Sequence, residues 1–467
     1  MGVAAALLVA VAIIAGLIAA LWHARQARAQ RDVAQRINTF LQEMVRGAAP
    51  AAKDSGVRFS DLVSEASTRA RSELADEPAV MAGVLLACGR SYISLGQPDK
   101  AETDLRAAVE ASLKANGELH STTAAIMGWL GLALANRDKY AEGEKISRKA
   151  VELQRKLHPQ GNKDLGVALY ALGLNLSNKR EPKAALAFLE EASDLIRKHL
   201  GQANGFYVTS LLTLAVTHER AGEVDAAESI VRQAIDLAGG IEPEQRDLLP
   251  QAQTFLGFLL TSKGAYIEAE TLLRRSETIY REVYGGDAND RVGAVKADLG
   301  ALYLLKGDLD QAEAEARTAL DLLRKYREPE HSLTASAAAT LGLTLTREGR
   351  AAEGEPYLRE GLATRIKAVP LDSFWIPYTE SALGECLTAQ QRYAEAEPLL
   401  TDGYTGLIWK LGEKDVRTVE APNAWPNSTT PGPSPSRHCF SGSRKTMGKI
   451  EIRSSKSETN SNYQMEE

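Results

Sequence analysis

The 467 residues carry 55 lysines and arginines against 61 acids, a net charge of −6, and only 6% aromatics. That balance gives no general case for nucleic-acid binding. Three cysteines far apart at positions 88, 386 and 439 imply neither a disulfide framework nor a metal site.

Val3 to Leu21 holds no charged or polar side chain. At about 1.5 Å per residue it reaches roughly the 30 Å of a bilayer's hydrocarbon core, and Trp22 follows where an interfacial aromatic belongs. The expectation is a transmembrane helix over 1–22, held by the lipid bilayer through residues 3–22, in a single-pass inner-membrane protein. A cleaved signal peptide is the rival. Its apolar run is usually only about 7–15 residues long and follows a cationic stretch, and no cationic side chain precedes Val3.

Residues 23–46 read as an amphipathic juxtamembrane helix. Arg25, Arg28, Arg31 and Arg36 place positive charge next to the span, which favours cytoplasmic repeats by the positive-inside rule. Val33, Ile37, Phe40, Leu41 and Met44 recur at helical spacing. Either the arginines snorkel to lipid head groups, or the apolar stripe forms a weak homodimeric coiled coil. Residues 47–78 read as a hinge and then a capping helix, with Phe59, Leu62, Val63, Ala66, Ala70 and Leu74 on one face to cover the first repeat.

From 79 to 415 one pattern returns. A small residue stands at Gly89, Gly131, Gly173, Ala215, Gly257, Gly300, Gly342 and Gly384, at intervals of 42 residues with a single 43. A second recurs at Ala101, Gly143, Ala185, Ala227, Ala269, Ala312, Gly354 and Ala396, and turn glycines such as Gly96 and Gly264 keep phase between them. Each unit is a helix–turn–helix hairpin whose small positions allow close approach. Adding bulk there, as in Gly173→Leu, is expected to overpack the hairpin. Residues 416–467 read as an aberrant, disordered tail: Pro422 to Pro435 forbid the helix a ninth unit would need.

The order of bulky residue, leucine–glycine, tyrosine and alanine resembles the tetratricopeptide repeat, in the longer form found in kinesin light chains. That resemblance implies an all-α, right-handed tetratricopeptide solenoid of about eight hairpins, and a protein or peptide ligand in its concave groove. Counting from the small anchors, the groove candidates are Arg90, Asn136, Tyr170, Asn178, Arg220, Phe258 and Arg347. Kinesin light chains carry asparagine two residues before the anchor; here that slot holds Trp129, Ala171, Thr213, Phe255, Asp298, Thr340 and Ala382.

Residues 20–32, Asn38 to Leu41 and Arg71 to Pro78, ahead of the repeats, are similar to the C-terminal half of membrane-anchored bacterial serine/threonine kinases. In that family the kinase domain precedes the span, which would put the repeats outside; no kinase domain stands in this chain. The seven histidines are scattered, and neither a phosphate loop nor a nucleophile elbow is present. The expected function is a non-enzymatic, membrane-tethered interaction scaffold without cofactor, metal or nucleic-acid partner. The alternative is the sensory or regulatory half of a split or truncated kinase.

Overall fold

The structure is a computed structural model that describes residues 28, 30–44, 58–240, 246–327, 331–368, 373–413 and 415–420. Among the described residues every regular element is a helix. Two helices lead, α1 (30–44) and α2 (Phe59–Glu73). Four hairpins follow: α3 (Pro78–Ser94) with α4 (Pro98–Asn116), α5 (Ser121–Ala135) with α6 (Tyr140–Leu157), α7 (Lys163–Asn178) with α8 (Pro182–Leu200), and α9 (Gly205–Arg220) with α10 (Val224–Ala238). Four more are α11 (Leu248–Ser262) with α12 (Tyr266–Tyr284), α13 (Asp290–Lys306) with α14 (Leu309–Tyr326), α15 (Ser332–Arg347) with α16 (Ala351–Ala368), and α17 (Trp375–Ala389) with α18 (Tyr393–Leu411). The short α19 (Val416–Glu420) closes the series.

Close approach inside each hairpin rests on the small anchors. A Cβ on Gly89 would stand 2.6 Å from Leu105 Cγ, on Gly173 2.5 Å from Leu189 Cγ, and on Gly257 2.7 Å from Leu273 Cγ. The leucine sixteen positions on therefore fills the space the missing side chain leaves. The turn that reverses the chain needs one left-handed residue, which glycine supplies without steric cost. Gly96, Gly222, Gly264, Gly307 and Gly349 adopt it; Asp138, Arg180 and Gln391 do so in the other three hairpins.

Each first helix packs against its own partner and against the first helices before and after it, while second helices pack chiefly on first helices. First helices therefore form the inner, concave layer and second helices the outer one. Across the outer layer runs a ladder of ions that the sequence pattern did not announce. The glutamate following the second small anchor meets a cation four residues on and another in the next hairpin's turn. Glu102 pairs with Arg106, Arg137 and Lys139; Glu228 with Arg232 and Lys263; Glu313 with Arg317 and Arg350; Glu355 with Arg359 and Arg392. A second rung joins residues 36 apart, as in Arg106–Glu142, Arg232–Glu268 and Arg317–Glu353.

The expected transmembrane helix is corrected. Among the described residues no helix is long and apolar enough to cross a membrane. The fold of the described residues is an all-α helical repeat solenoid, which contradicts the expected transmembrane helix and single-pass inner-membrane placement. Residues 1–22, the hinge at 47–56 and everything after Glu420 lie outside the described residues.

The juxtamembrane helix is also revised. Phe40 and Met44 of α1 are buried in the same core as Val63, Ala66 and Ala70 of α2 and Val80 and Val84 of α3. Arg36 forms a two-pronged ion pair with Glu77, and the Arg69 guanidinium lies over the Phe40 ring at 5.6 Å. The apolar stripe offered to a second copy packs within the chain, covering the first hairpin together with α2. Phe59, counted on the buried face of the cap, is 60% exposed.

Candidate functional site

Four first helices converge on a concave cavity of about 360 Å³. From α13 come Arg291, Ala294, Val295 and Asp298, and from α11 Gln251, Thr254, Phe255 and Phe258. Both sets have the three-, four- and seven-residue spacing of a single helix face. Leu212, Thr213, Val216 and Arg220 descend from α9, with Leu174, Ser177 and Asn178 from α7.

The cavity lining mixes polar and aromatic side chains. Arg220 Nη1 donates to Asn178 Oδ1 at 2.7 Å and to Ser177 Oγ at 3.1 Å, so the guanidinium bridges two repeats. Surrounding protein lowers the Arg220 pKa from its ordinary value, against the pull of Glu219, although solvent still reaches the side chain through the open groove. Also lining it, Phe255 and Phe258 stack with ring centroids 6.2 Å apart. Phe258 also stands 6.2 Å from Trp375, three hairpins further along, so the concave face is narrow. Arg417 of α19, gripped by both oxygens of Asp415 at 2.8 and 2.7 Å, lies over Phe374 at 4.2 Å and within 6.0 Å of Phe258. Burial pushes the Glu219 carboxyl up, with Arg417 and Arg220 opposing.

The structure therefore brings Asn178, Arg220 and Phe258 to one cavity. Arg90 and Tyr170 belong to an aromatic run nearer the first hairpins. Arg90 lies over Trp129 at 4.8 Å, Trp129 is 6.0 Å from Phe206, and Phe206 meets Tyr170 edge-on at 5.2 Å. Tyr170 is buried and shares a 3.0 Å hydrogen bond with Thr213 Oγ1. Asn136 is exposed at the end of α5, away from the cavity lining. Arg347 forms a two-pronged ion pair with Glu385 on α17.

Thr213, Phe255 and Asp298 line the cavity and were not among the groove candidates. They stand two residues before the small anchors Ala215, Gly257 and Gly300. Arg291 was also missed; its signal is the seven-residue step to Asp298 on one helix face.

These features define a repeat solenoid with a concave site. Tetratricopeptide-repeat family models match residues 82–114, 251–290 and 291–367. The chain carries tetratricopeptide repeats. No curated protein matches the sequence. The apo quorum sensor NprR from B. thuringiensis is similar over 81% of this chain and 99% of its own, at 14% identity and a TM-score of 0.56. A Rap protein complexed with competence and sporulation factor covers 73% of this chain and 96% of its own, at 16% identity and a TM-score of 0.51. A Podospora anserina putative kinesin light chain covers 52% of this chain and 94% of its own, at 14% identity and a TM-score of 0.25. At these identities the likenesses show the fold alone, and none of them links the chain to a kinase.

Proposed function

We propose that the chain is a protein-interaction scaffold that holds a peptide, or an extended segment of a partner, in the concave groove across α7, α9, α11 and α13. The observation that carries this reading is the cavity itself: four helices bring to it a stacked aromatic pair together with a guanidinium and an amide already locked in place. Apolar walls with a few fixed polar groups suit ligand capture, and prior ordering lowers the entropy cost of binding. The complex of a similarly folded Rap protein with competence and sporulation factor supports a ligand-holding role for such a solenoid. A regulatory link to a kinase rests on sequence resemblance alone and has no support among the described residues.

The test is selection from a displayed random-peptide library on the full chain. Peptides so obtained are expected to lose at least about tenfold in affinity against Phe258→Ala and against Arg220→Ala. Unchanged affinity for both variants would place the ligand elsewhere.

A further inference from the structure

Two opposite charges stand in the cavity without a partner. Asp298 and Arg291 both line it, and neither takes a hydrogen bond or ion pair from any described residue. The other guanidinium of the cavity, Arg220, is committed to Asn178 and Ser177. Elsewhere on the solenoid, acids such as Glu102 and Glu355 of the outer ladder are matched by cations.

We infer that the groove selects a peptide bearing a basic side chain for Asp298 and a carboxylate for Arg291, separated by apolar residues that rest on Phe255 and Phe258. This rests on the peptide-binding reading above and specifies its ligand. The spacing follows from helix geometry. Seven residues at about 1.5 Å each put the two Cα atoms about 10 Å apart, and an extended peptide covers that in about three residues at about 3.3 Å each. The ligand therefore carries its basic residue and its carboxylate about three positions apart.

Energetics point the same way. Burial in the cavity pushes the Asp298 carboxyl up to about 7. A charge stripped of water without a partner is costly, and a ligand cation seated against it would relieve that cost. Arg291 on the same stripe keeps the site from being a purely cationic trap, so a peptide with one charge alone satisfies half of it.

The experiment is fluorescence anisotropy on the full chain with labelled peptides of one apolar frame. One has lysine and glutamate three positions apart, a second has glutamine at both places, and a third lacks the glutamate but ends at that position in a free or an amidated C-terminus. The lysine–glutamate peptide is expected to bind about tenfold or more tighter than the glutamine peptide, as desolvated charge pairs allow. Asp298→Asn should erase the lysine's share and Arg291→Gln the carboxylate's share of the tenfold difference between the two peptides. The free and amidated termini decide whether the carboxylate is terminal. Equal binding of charged and glutamine peptides would overturn the charge selection and leave the groove reading standing. Failure of every peptide, with parent and variants folded by circular dichroism, would overturn both.

Discussion

Arg220 on α9 donates to Asn178 Oδ1 on α7 at 2.7 Å, and the two residues stand 42 apart, in the same slot of consecutive repeats. The slot after the anchor thus serves the solenoid before it serves a ligand: one repeat's guanidinium is positioned by the previous repeat's amide. Arg347, in the same slot, pairs instead with the Glu385 carboxylate of the following hairpin. A double-mutant cycle of Arg220→Ala and Asn178→Ala should show coupling of about 0.5–1.5 kcal/mol in urea unfolding, the net worth of such a bond. Strict additivity would mean that the contact contributes nothing.

The outer ladder should make the fold sensitive to acid. Glu102 is buried, which raises its pKa, but hydrogen bonds from Lys139, Arg106 and Arg137 win and hold it at about 2. Glu355 is likewise pushed up by burial and held at about 2 by Arg359, Gln390 and Arg392. A carboxylate depressed in the folded state contributes stability that is complete above its unfolded value and is lost as pH falls through the folded one. The loss is therefore expected between pH 4.5 and about 2. Each site is worth of the order of 1–3 kcal/mol after allowing for partly exposed partners. Glu102→Gln should flatten the acid limb of a stability profile; an unaltered limb would show that these glutamates are not depressed.

Asp298 runs with the opposite sign. Its folded pKa is raised to about 7, so the folded state prefers the neutral acid. The cost of ionisation is absent below the unfolded value of 3.8 and complete above about 7. Arg220, Arg291 and Tyr280 are the other titratable groups lining the cavity. Asp298→Asn is therefore expected to gain stability over the parent as pH rises through this window, measured by chemical unfolding at several pH values. A constant difference across the window would refute the raised carboxyl.

Packing at the anchors can be probed where backbone meets backbone. A Cβ on Gly342 would lie 2.7 Å from the carbonyl oxygen of Gly354 and 3.1 Å from the Leu358 amide nitrogen. Neither atom can move without shifting the hairpin. Gly342→Ala is expected to cost about 1–3 kcal/mol, the usual range for overpacking a dense core. Gly173→Leu, which must also displace Leu189, should cost at least as much. A thermal melt within error of the parent would contradict the close approach.

The turns offer a change in the other direction. Gln391 holds a left-handed backbone, φ 62°, in the slot that glycine fills in five hairpins. Gln391→Gly should raise the melting temperature slightly, since a left-handed non-glycine residue costs roughly 1 kcal/mol. A lowered melting temperature would mean that the side chain contributes more than the backbone loses.

What the sequence determined by itself was periodic. Small residues at Gly89, Gly173 and Gly257 show because only a short side chain lets two helices meet, and a 42-residue recurrence makes each unit confirm the next. Helix faces, turns and the concave layer follow from that phase. Tertiary structure alone decided which side chains on that layer meet, because stacking brings together residues that no local pattern relates. Asn178, Arg220, Phe258 and Asp298 come from four helices and share one cavity, while Asn136, equivalent to Asn178 in phase, lies outside it. The same holds for α1: its apolar stripe is legible as a helix face, but a stripe does not name its partner, and only the fold shows Phe40 and Met44 packed onto the first hairpin.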